Sequence, residues 1–445
     1  MTKFPVRAGL PESLSVVVRS GTCCGCGVCA GVAPCAALEM RLTRSGYFLP
    51  HADDCTECGL CSSVCPGATT ASASPHEPLG PFLETVVGYS TVNEERSQGS
   101  SGGLATRVLK TLLARGDVRA VIAATPASGG RALFEASALH TPEEIDRASG
   151  SKYYPIEFSG ALRQVRSAGE PFAVVGLPCV ITAVDLARKR FAWLRNQCRH
   201  LIGLTCGHLV TTHYTNFLAA ISGVPPEHIE HVDYRRGPGP CGANDYRFVA
   251  TRTNGTEGEE LPFASGRGIP SAVWDARLFT PPACFRCTDL FAVHADLTLM
   301  DAWLPEYMSE PAGTSLAVVR SERMRDLLDA ERHAGRVYLE PIAPDRVLAS
   351  QRTGLAHRHR AAALCAAESG GRRVPLRDSV WLWWETLRSD LSNRLFAGGP
   401  LRRTLGTRLI LAWLSGRRVA RRLQSIGARL LRRPFRVRIS RGGSG

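Results

Sequence analysis

The chain has 445 residues, 44% hydrophobic and 21% charged, the composition of a globular protein long enough for two or three domains. Its formal net charge of +14 sits at one end: residues 391–445 hold 14 Arg and no Lys, Asp or Glu, while the rest balances 40 basic against 40 acidic side chains. A neutral body argues against nucleic-acid binding, no apolar run reaches the ~18 residues of a membrane span, and 16 cysteines behind a start (Met1-Thr2-Lys3-Phe4-Pro5) unlike a secretory leader point to a reducing, cytoplasmic setting.

The first feature in chain order is Cys23-Cys24-Gly25-Cys26-Gly27-Val28-Cys29, then Cys35, then Cys55-Thr56-Glu57-Cys58-Gly59-Leu60-Cys61, then Cys65-Pro66. Two C-x-x-C-x-x-C runs, each followed by a fourth Cys, make the two-cluster ferredoxin pattern, in which the fourth Cys of one run ligates the other run's cluster. Three thiolates at this spacing curl round one face of an iron–sulfur cube, and Gly25, Gly27 and Gly59 serve the tight turns. One 4Fe-4S cluster then takes Cys23, Cys26, Cys29 and Cys65. The other takes Cys55, Cys58, Cys61 and Cys35. The first run departs from the pattern in its five-residue spacer before Cys35. Cys24 is left over, as a packed thiol or as the alternative to Cys23. Tyr47-Phe48-Leu49-Pro50 reads as a hairpin strand covering the clusters, and residues 71–82 as a linker.

Ser97-Gln98-Gly99-Ser100-Ser101-Gly102-Gly103 then opens a helix with Leu104, Val108, Leu109, Leu112 and Leu113 on one face, ending at Arg115-Gly116-Asp117. A small-residue loop feeding a helix N-terminus is either an anion site for a flavin or nucleotide diphosphate, or a capped turn. Strands follow at Ala120–Ala123, Phe172–Gly176 and His200–Leu204. Helices follow from Cys179 to Ala187 and from His213 to Ile221. Cys179 and Cys206 therefore stand at carboxyl ends of strands, where open α/β sheets place ligands. Cys284-Phe285-Arg286-Cys287 adds a C-x-x-C, and Asp296–Trp303 and Ser315–Val319 are further strands. Cys179, Cys206, Cys284 and Cys287 make four thiols, enough for a third 4Fe-4S cluster or a structural zinc. Cys198, Cys241 and Cys365 lack a partner pattern.

Beyond Gln351 the pattern is helical. Trp381, Leu382, Trp383, Trp384 and Leu387 read as an aromatic cluster packing on the body. Leu405, Leu409, Ala412, Leu414, Val419, Leu423, Ile426 and Leu430 then alternate with Arg402, Arg403, Arg408, Arg417, Arg418, Arg421, Arg422, Arg429, Arg432 and Arg433. Such a basic amphipathic helix can lie on an anionic bilayer or dock on a partner protein, or the stretch can be a disordered basic arm that meets nucleic acid; the membrane surface is preferred. Gly416 and Gly427 weaken the helix. RNA-module signatures are absent, so no nucleic acid is expected.

Gln98 to Gly103 before a helix, Gly150-Ser151-Lys152-Tyr153, Gly176-Leu177-Pro178-Cys179, Gly203 to Gly207, and Cys284-x-x-Cys287-x-Asp289 with Ala295-Asp296 and Asp301-Ala302-Trp303 occur in one order. That order resembles the beta subunit of coenzyme F-420 hydrogenases and dehydrogenases, a group that includes 7-hydroxymethyl chlorophyll a reductase, over residues 18–350. The resemblance implies an iron–sulfur flavoprotein oxidoreductase. It implies FAD held by the glycine loop and its neighbours, here Ser101, Gly102, Gly103, Ser151, Lys152, Tyr153 and Asp301, with a cluster on central cysteines close by. Coenzyme F-420 is a further cofactor compatible with it, and the substrate is not implied. The expected partner is ferredoxin or another redox protein, and a homo-oligomer is compatible with the sequence. Alternatives are an electron-transfer subunit without its own substrate and a membrane-surface scaffold with structural clusters. His208 and Lys152 are the catalytic candidates; Arg235, Arg236 and Arg267 could meet an acidic substrate. The expected fold is α/β (α+β overall): a ferredoxin-type domain over 1–80, a region with the glycine loop over 81–165, a region with the cysteine cluster over 166–350, and a helical Arg-rich tail over 351–445.

Overall fold

Runs of β-branched and small apolar residues bounded by Gly, Pro and Asp set the strands, and the computed structural model describes residues 10–35, 37–68, 77–129, 132–237, 242–263, 268–370 and 376–431. Residues 71–76 of the expected linker, Cys241, Arg267, Arg432 and Arg433 lie outside these. Strands β1 (Leu38–Leu42) and β2 (Phe48–Ala52) form an antiparallel hairpin beside the cysteine runs, as expected of the Tyr47–Pro50 stretch. Next come β3 (Glu84–Ser90), β4 (Ala120–Pro126), β5 (Phe134–Leu139), β6 (Phe172–Gly176) and β7 (Cys198–Leu204). A three-stranded meander follows, β8 (Ile229–Arg236), β9 (Arg247–Arg252) and β10 (Leu261–Pro262). The last strands are β11 (Leu297–Asp301), β12 (Ser315–Val319) and β13 (Val337–Pro341).

The centre is an eight-stranded mixed sheet in the order β13-β3-β12-β11-β7-β6-β4-β5. β4, β6, β7 and β11 run parallel. The edges are antiparallel, β5 on one side and β12, β3 and β13 on the other. Residues 81–165 and 166–350 thus contribute strands to one sheet. Parallel strands are covered on both faces and read as unbroken apolar runs, which is why every residue of Phe172–Gly176 is buried. On one face Val121, Ala123 and Val175 meet the helix Leu104–Ala114 through Leu104, Val108, Leu109 and Leu112. On the other, Ile122, Phe172 and Val174 pack with the helices Ser159–Ala168 and Pro178–Arg190 and with Val28 and Val32 of the cysteine segment.

The cysteine segment is locked to this second face. Gly27 has φ +75°, and a Cβ there would stand 2.9 Å from the Phe158 backbone nitrogen. The same nitrogen donates to the Cys26 carbonyl at 2.9 Å. Only glycine gives both the left-handed turn and the close approach.

The chain ends in the helices Arg352–Gly370, Leu376–Phe396 and Pro400–Leu431. The last runs unbroken through Gly416 and Gly427; each glycine costs only about 1 kcal/mol, while Ile410 and Leu414 are buried against the body. The aromatic cluster is not wholly packed inward, contrary to expectation. Trp381 stacks on His357 at 5.4 Å, but Trp383 and Trp384 face out, Trp383 being 62% exposed. The reason is that the body-facing side of Leu376–Phe396 is polar: Ser389 and Ser392 accept from the Thr280 and Phe279 amides at 2.7 and 3.0 Å, and Thr211 donates to Asn393 at 2.8 Å.

Candidate functional site

The carboxyl ends of the parallel strands open onto a cavity of about 340 Å³, within the usual range for small-molecule sites. Ala123 and Ala124 of β4, Val175 and Gly176 of β6, Leu204 at the end of β7 with Thr205 after it, and Leu299 to Asp301 of β11 form its floor. One wall is the glycine loop. Gly102 and Gly103 have φ of +66° and +75°, and a Cβ on Gly103 would lie 2.6 Å from the Glu95 carbonyl. Gly103 stands at the N-cap of Leu104–Ala114 with no side-chain cap, so the helix's first amides lack a capping side chain, and Ala105 and Thr106 of that first turn line the cavity. The facing wall is Ser149–Tyr154, tied to the glycine loop by Ser151 Oγ donating to Ser100 Oγ at 2.8 Å.

Of the residues expected to hold FAD, Ser101, Gly103, Ser151, Lys152, Tyr153 and Asp301 line this one cavity, and Gly102 completes the turn beneath them. Lys152 serves the wall itself: its Nζ donates to the carbonyls of Ala148, Ser149 and Gly150 at 2.7, 2.7 and 3.1 Å, and burial pulls its pKa down to about 8. Arg235 is buried and makes a two-pronged pair with Asp301 at 3.0 and 3.3 Å, while its guanidinium lies 4.3 Å from the Tyr246 ring centre. Arg236 behaves as surface charge, paired with Glu257 at 2.8 Å.

His208, a catalytic candidate of the sequence, is buried at 5% exposure and packs against Trp274 with ring centres 4.1 Å apart. Burial, reinforced by Arg277, Arg358 and His357, holds its pKa well below the ordinary imidazole value. It is a neutral hydrogen-bonding group and not a ready proton donor near neutrality. His208 Nε2, Thr205 Oγ1 and Arg235 Nε are buried at this cavity without hydrogen-bond partners among the described residues. Buried polar atoms are normally satisfied, so an apolar cavity with three polar atoms waiting fits a ligand with its own acceptors and donors, as FAD is.

The thiols fall into three neighbouring groups. Cys35, Cys55, Cys58 and Cys61 surround a small void, and Cys23, Cys26, Cys29 and Cys65, with Cys24, surround another. These are the two sets expected from spacing. The central thiols also meet: Cys179 feels the charges of Cys24, Cys206 and Cys287, and Cys206 those of Cys284 and Cys287. Burial first, then mutual repulsion, pushes these thiols up, Cys65, Cys206 and Cys284 to about 12 and Cys61 to about 11. Bare, such sets stay protonated; a coordinated metal centre deprotonates its thiols outright, so the donor chemistry fits a cationic cluster. Among the described residues no three His, Cys, Asp or Glu converge on one point as around a single ion. The thiols ring voids instead.

Two features escaped the sequence reading. Cys24, set aside as a leftover, lines both the N-terminal void and the large cavity beside Cys179, and its neighbours Cys179 first and then Cys26 hold its pKa well below the ordinary thiol value. Arg358, in the stretch read as tail, is buried beneath the central thiols. It donates to the carbonyls of Cys206 and Gly207 at 2.7 and 3.0 Å and of Cys284 and Cys287 at 3.3 Å each. A His-Arg-His-Arg run in a helical pattern carries no signal that one guanidinium reaches two loops.

Two family models match the chain, both describing the beta subunit of coenzyme F420 hydrogenase/dehydrogenase: its N-terminal part over residues 85–163 and its C-terminal part over residues 169–345. Together they span more than half of the chain. The chain belongs to this family. The family match covers the mixed sheet and the cavity lining apart from Cys24 and Cys26, and stops short of the cysteine runs at 23–65 and of the final helices. A relative, the F subunit of the F(420)H(2) dehydrogenase of Methanosarcina mazei, is 22% identical over 206 residues, 44% of this chain and 56% of that protein, so the chain spans about half the length of the relative it matches. A chain of the F420-reducing [NiFe] hydrogenase complex from Methanosarcina barkeri aligns over 64% of this chain and 92% of its own length, with a TM-score of 0.49 and 17% identity.

Proposed function

We propose that this family member is an iron–sulfur flavoprotein oxidoreductase that moves electrons between a redox protein of the ferredoxin type, or coenzyme F-420, and a two-electron substrate. The observation that carries it is where the thiols stand. Cys35, Cys55, Cys58 and Cys61 ring one void, with Cys58 exposed; Cys23, Cys24, Cys26, Cys29 and Cys65 ring a second; and Cys24 and Cys26 also line the cavity with Cys179 and Cys206, giving a row of thiol sets from surface to cavity. When bound, clusters along that row would carry single electrons and FAD in the cavity would exchange them in pairs. The chain's residues do the rest. The glycine loop presents helix amides to a phosphate, Lys152 holds the opposite wall rigid, and Arg235 with Asp301 closes the polar end. His208 and Thr205 offer hydrogen bonds, and Tyr153 and Trp274 keep water from the apolar part.

Anaerobic purification with iron, sulfide and flavin quantitation tests this reading. Three clusters' worth of iron and one FAD per chain, reduced by ferredoxin or reduced F-420, are expected. Colourless protein with zinc or no metal would overturn it. Membership in a family of beta subunits favours a second reading, a relay without its own substrate. Turnover by the isolated chain supports the first, and transfer only to an added partner enzyme supports the second.

The final helices are proposed to rest on an anionic membrane surface. Val380, Trp383, Trp384, Leu387 and Leu391 form one exposed stripe, and Leu401 (88% exposed), Leu405 and Leu409 another. The 14 Arg of residues 391–445 meet no acidic side chain within that stretch. Among the described residues no helix is long and apolar enough to cross a bilayer, so the fit is to its surface. Anionic vesicles are expected to co-sediment the protein at low salt and to release it at high salt. Trp383→Ser with Trp384→Ser should weaken binding by an order of magnitude or more, since each buried side chain contributes roughly 1.5–3 kcal/mol. Equal binding to neutral vesicles would remove the electrostatic part of this reading.

A further inference from the structure

Each of the two facing walls of the cavity hangs from a carboxylate residue. Glu95, in the short helix Asn93–Gln98, carries the glycine loop: its carbonyl accepts the Gly99 amide at 3.0 Å, and a Cβ on Gly99 would stand 2.8 Å from that same oxygen. Asp146, in the helix Pro142–Arg147, carries the opposite wall: its carbonyl accepts the Ser149 amide at 3.0 Å. Both anchors are continuous with the lining, because Gly99, Ile145 and Ser149 all border the cavity.

One side chain joins the two anchors. Lys110, on the helix Leu104–Ala114, places its Nζ 2.8 Å from an Asp146 carboxylate oxygen and 3.5 Å from the Glu95 carboxylate. Its neighbour Leu109 lines the cavity. Glu95 is fully buried and is also met by Ser90 Oγ at 2.7 Å and by Arg107 Nε at 3.0 Å. The bond from Ser151 Oγ to Ser100 Oγ is a second tie across the same gap.

We propose that Lys110 is a positioning residue of the cavity: by bridging Glu95 and Asp146 it sets the gap between the glycine loop and the Ser149–Tyr154 wall, and with it the fit of the flavin. This rests on the reading of the cavity as a flavin site. The bridge acts on position more than on stability. Desolvation offsets much of the attraction in a buried ion pair. Loss of the ammonium also strands no charge, because Glu95 keeps Ser90 and Arg107 and the Asp146 side chain is 33% exposed to water.

The test measures the FAD dissociation constant, the visible circular dichroism of the bound flavin and the urea midpoint of the anaerobically purified full chain. The variants are Lys110→Met, Lys110→Arg, Ser151→Ala and the double variant Lys110→Met with Ser151→Ala. Lys110→Met should weaken FAD binding on the order of tenfold, as loss of one charge-assisted hydrogen bond does, change the flavin's dichroism and leave the midpoint near the parent's. Lys110→Arg, whose fork can meet both carboxylates, should restore the binding. The double variant should lose more than the product of the two single losses, since independent sites simply add in free energy and these two hold one gap. FAD held by Lys110→Met as tightly as by the parent would overturn the proposal. So would a midpoint that falls in step with the affinity, or a double variant that shows only the product of the single losses. A parent chain that takes up no FAD would overturn the flavin reading itself, and this inference with it.

Discussion

Arg358→Met is expected to empty the central thiol site and to lower stability by about 3–5 kcal/mol. The guanidinium is almost wholly buried and closes four hydrogen bonds to the carbonyls of Cys206, Gly207, Cys284 and Cys287. Those carbonyls belong to two loops that bring Cys206 and the C-x-x-C together. Burial works against the charge of Arg358, and Cys287, Cys206 and Cys284 outweigh it, so the cation would stabilise these sulfurs once a bound metal centre deprotonates them. Methionine keeps most of the volume but leaves the carbonyls unsatisfied, and unmade buried hydrogen bonds cost more than made ones return. Arg358→Lys keeps the charge but cannot span four acceptors with a compact ammonium, so an intermediate loss of iron is expected. Iron content and the urea midpoint of the anaerobic protein check this. A methionine variant with full iron and an unchanged midpoint would show that the loops hold their own shape.

The sequence carried the parts of this architecture that depend on local chemistry. Cysteine spacing named the two N-terminal thiol sets, because ligands on one turn must sit at fixed steps along the chain. The apolar runs at Ala120–Ala123, Phe172–Gly176 and His200–Leu204 placed β4, β6 and β7, and with them Cys179 and Cys206 at the sheet's carboxyl edge. What could not be read is what the fold brings together from far apart. The strand Glu84–Ser90 lies between β12 and β13 in the sheet, a neighbourhood set by tertiary pairing. Cys24 meets Cys179 across the interface between the hairpin segment and the sheet, and nothing in its local pattern distinguishes it from a spare thiol. Arg358 and Ser389 sit in helical stretches whose periodicity gives a face but not the loop that face will clamp. The burial of His208 could not be read from its strand-end position, because the Trp274 ring that covers it comes from far along the chain.

The polar end of the cavity gives the second large effect. Asp301→Ala should cost about 2–4 kcal/mol, because it strands the Arg235 guanidinium in a site where, among the described residues, Asp301 is its one carboxylate partner. Arg235 is held firmly charged: burial opposes the proton, and Asp301, with Tyr246 and Tyr153, more than restores it. The carboxylate is partly open to the cavity, which keeps the cost below that of a fully enclosed pair. If charge burial is the cause, Arg235→Met combined with Asp301→Ala should recover most of the lost stability, since replacing both members of a buried pair by apolar groups is often near neutral. Flavin content separates folding from binding. Both the single and the double variant should release FAD if this pair closes the cofactor's polar end, even where the double variant is as stable as the parent. A double variant as unstable as Asp301→Ala would point to lost packing at Tyr246 and Trp303, the rings beside Arg235, and not to an uncompensated charge. A stable double variant that keeps its flavin would place the cofactor's anchor elsewhere, at the glycine loop and the Ser151 wall alone.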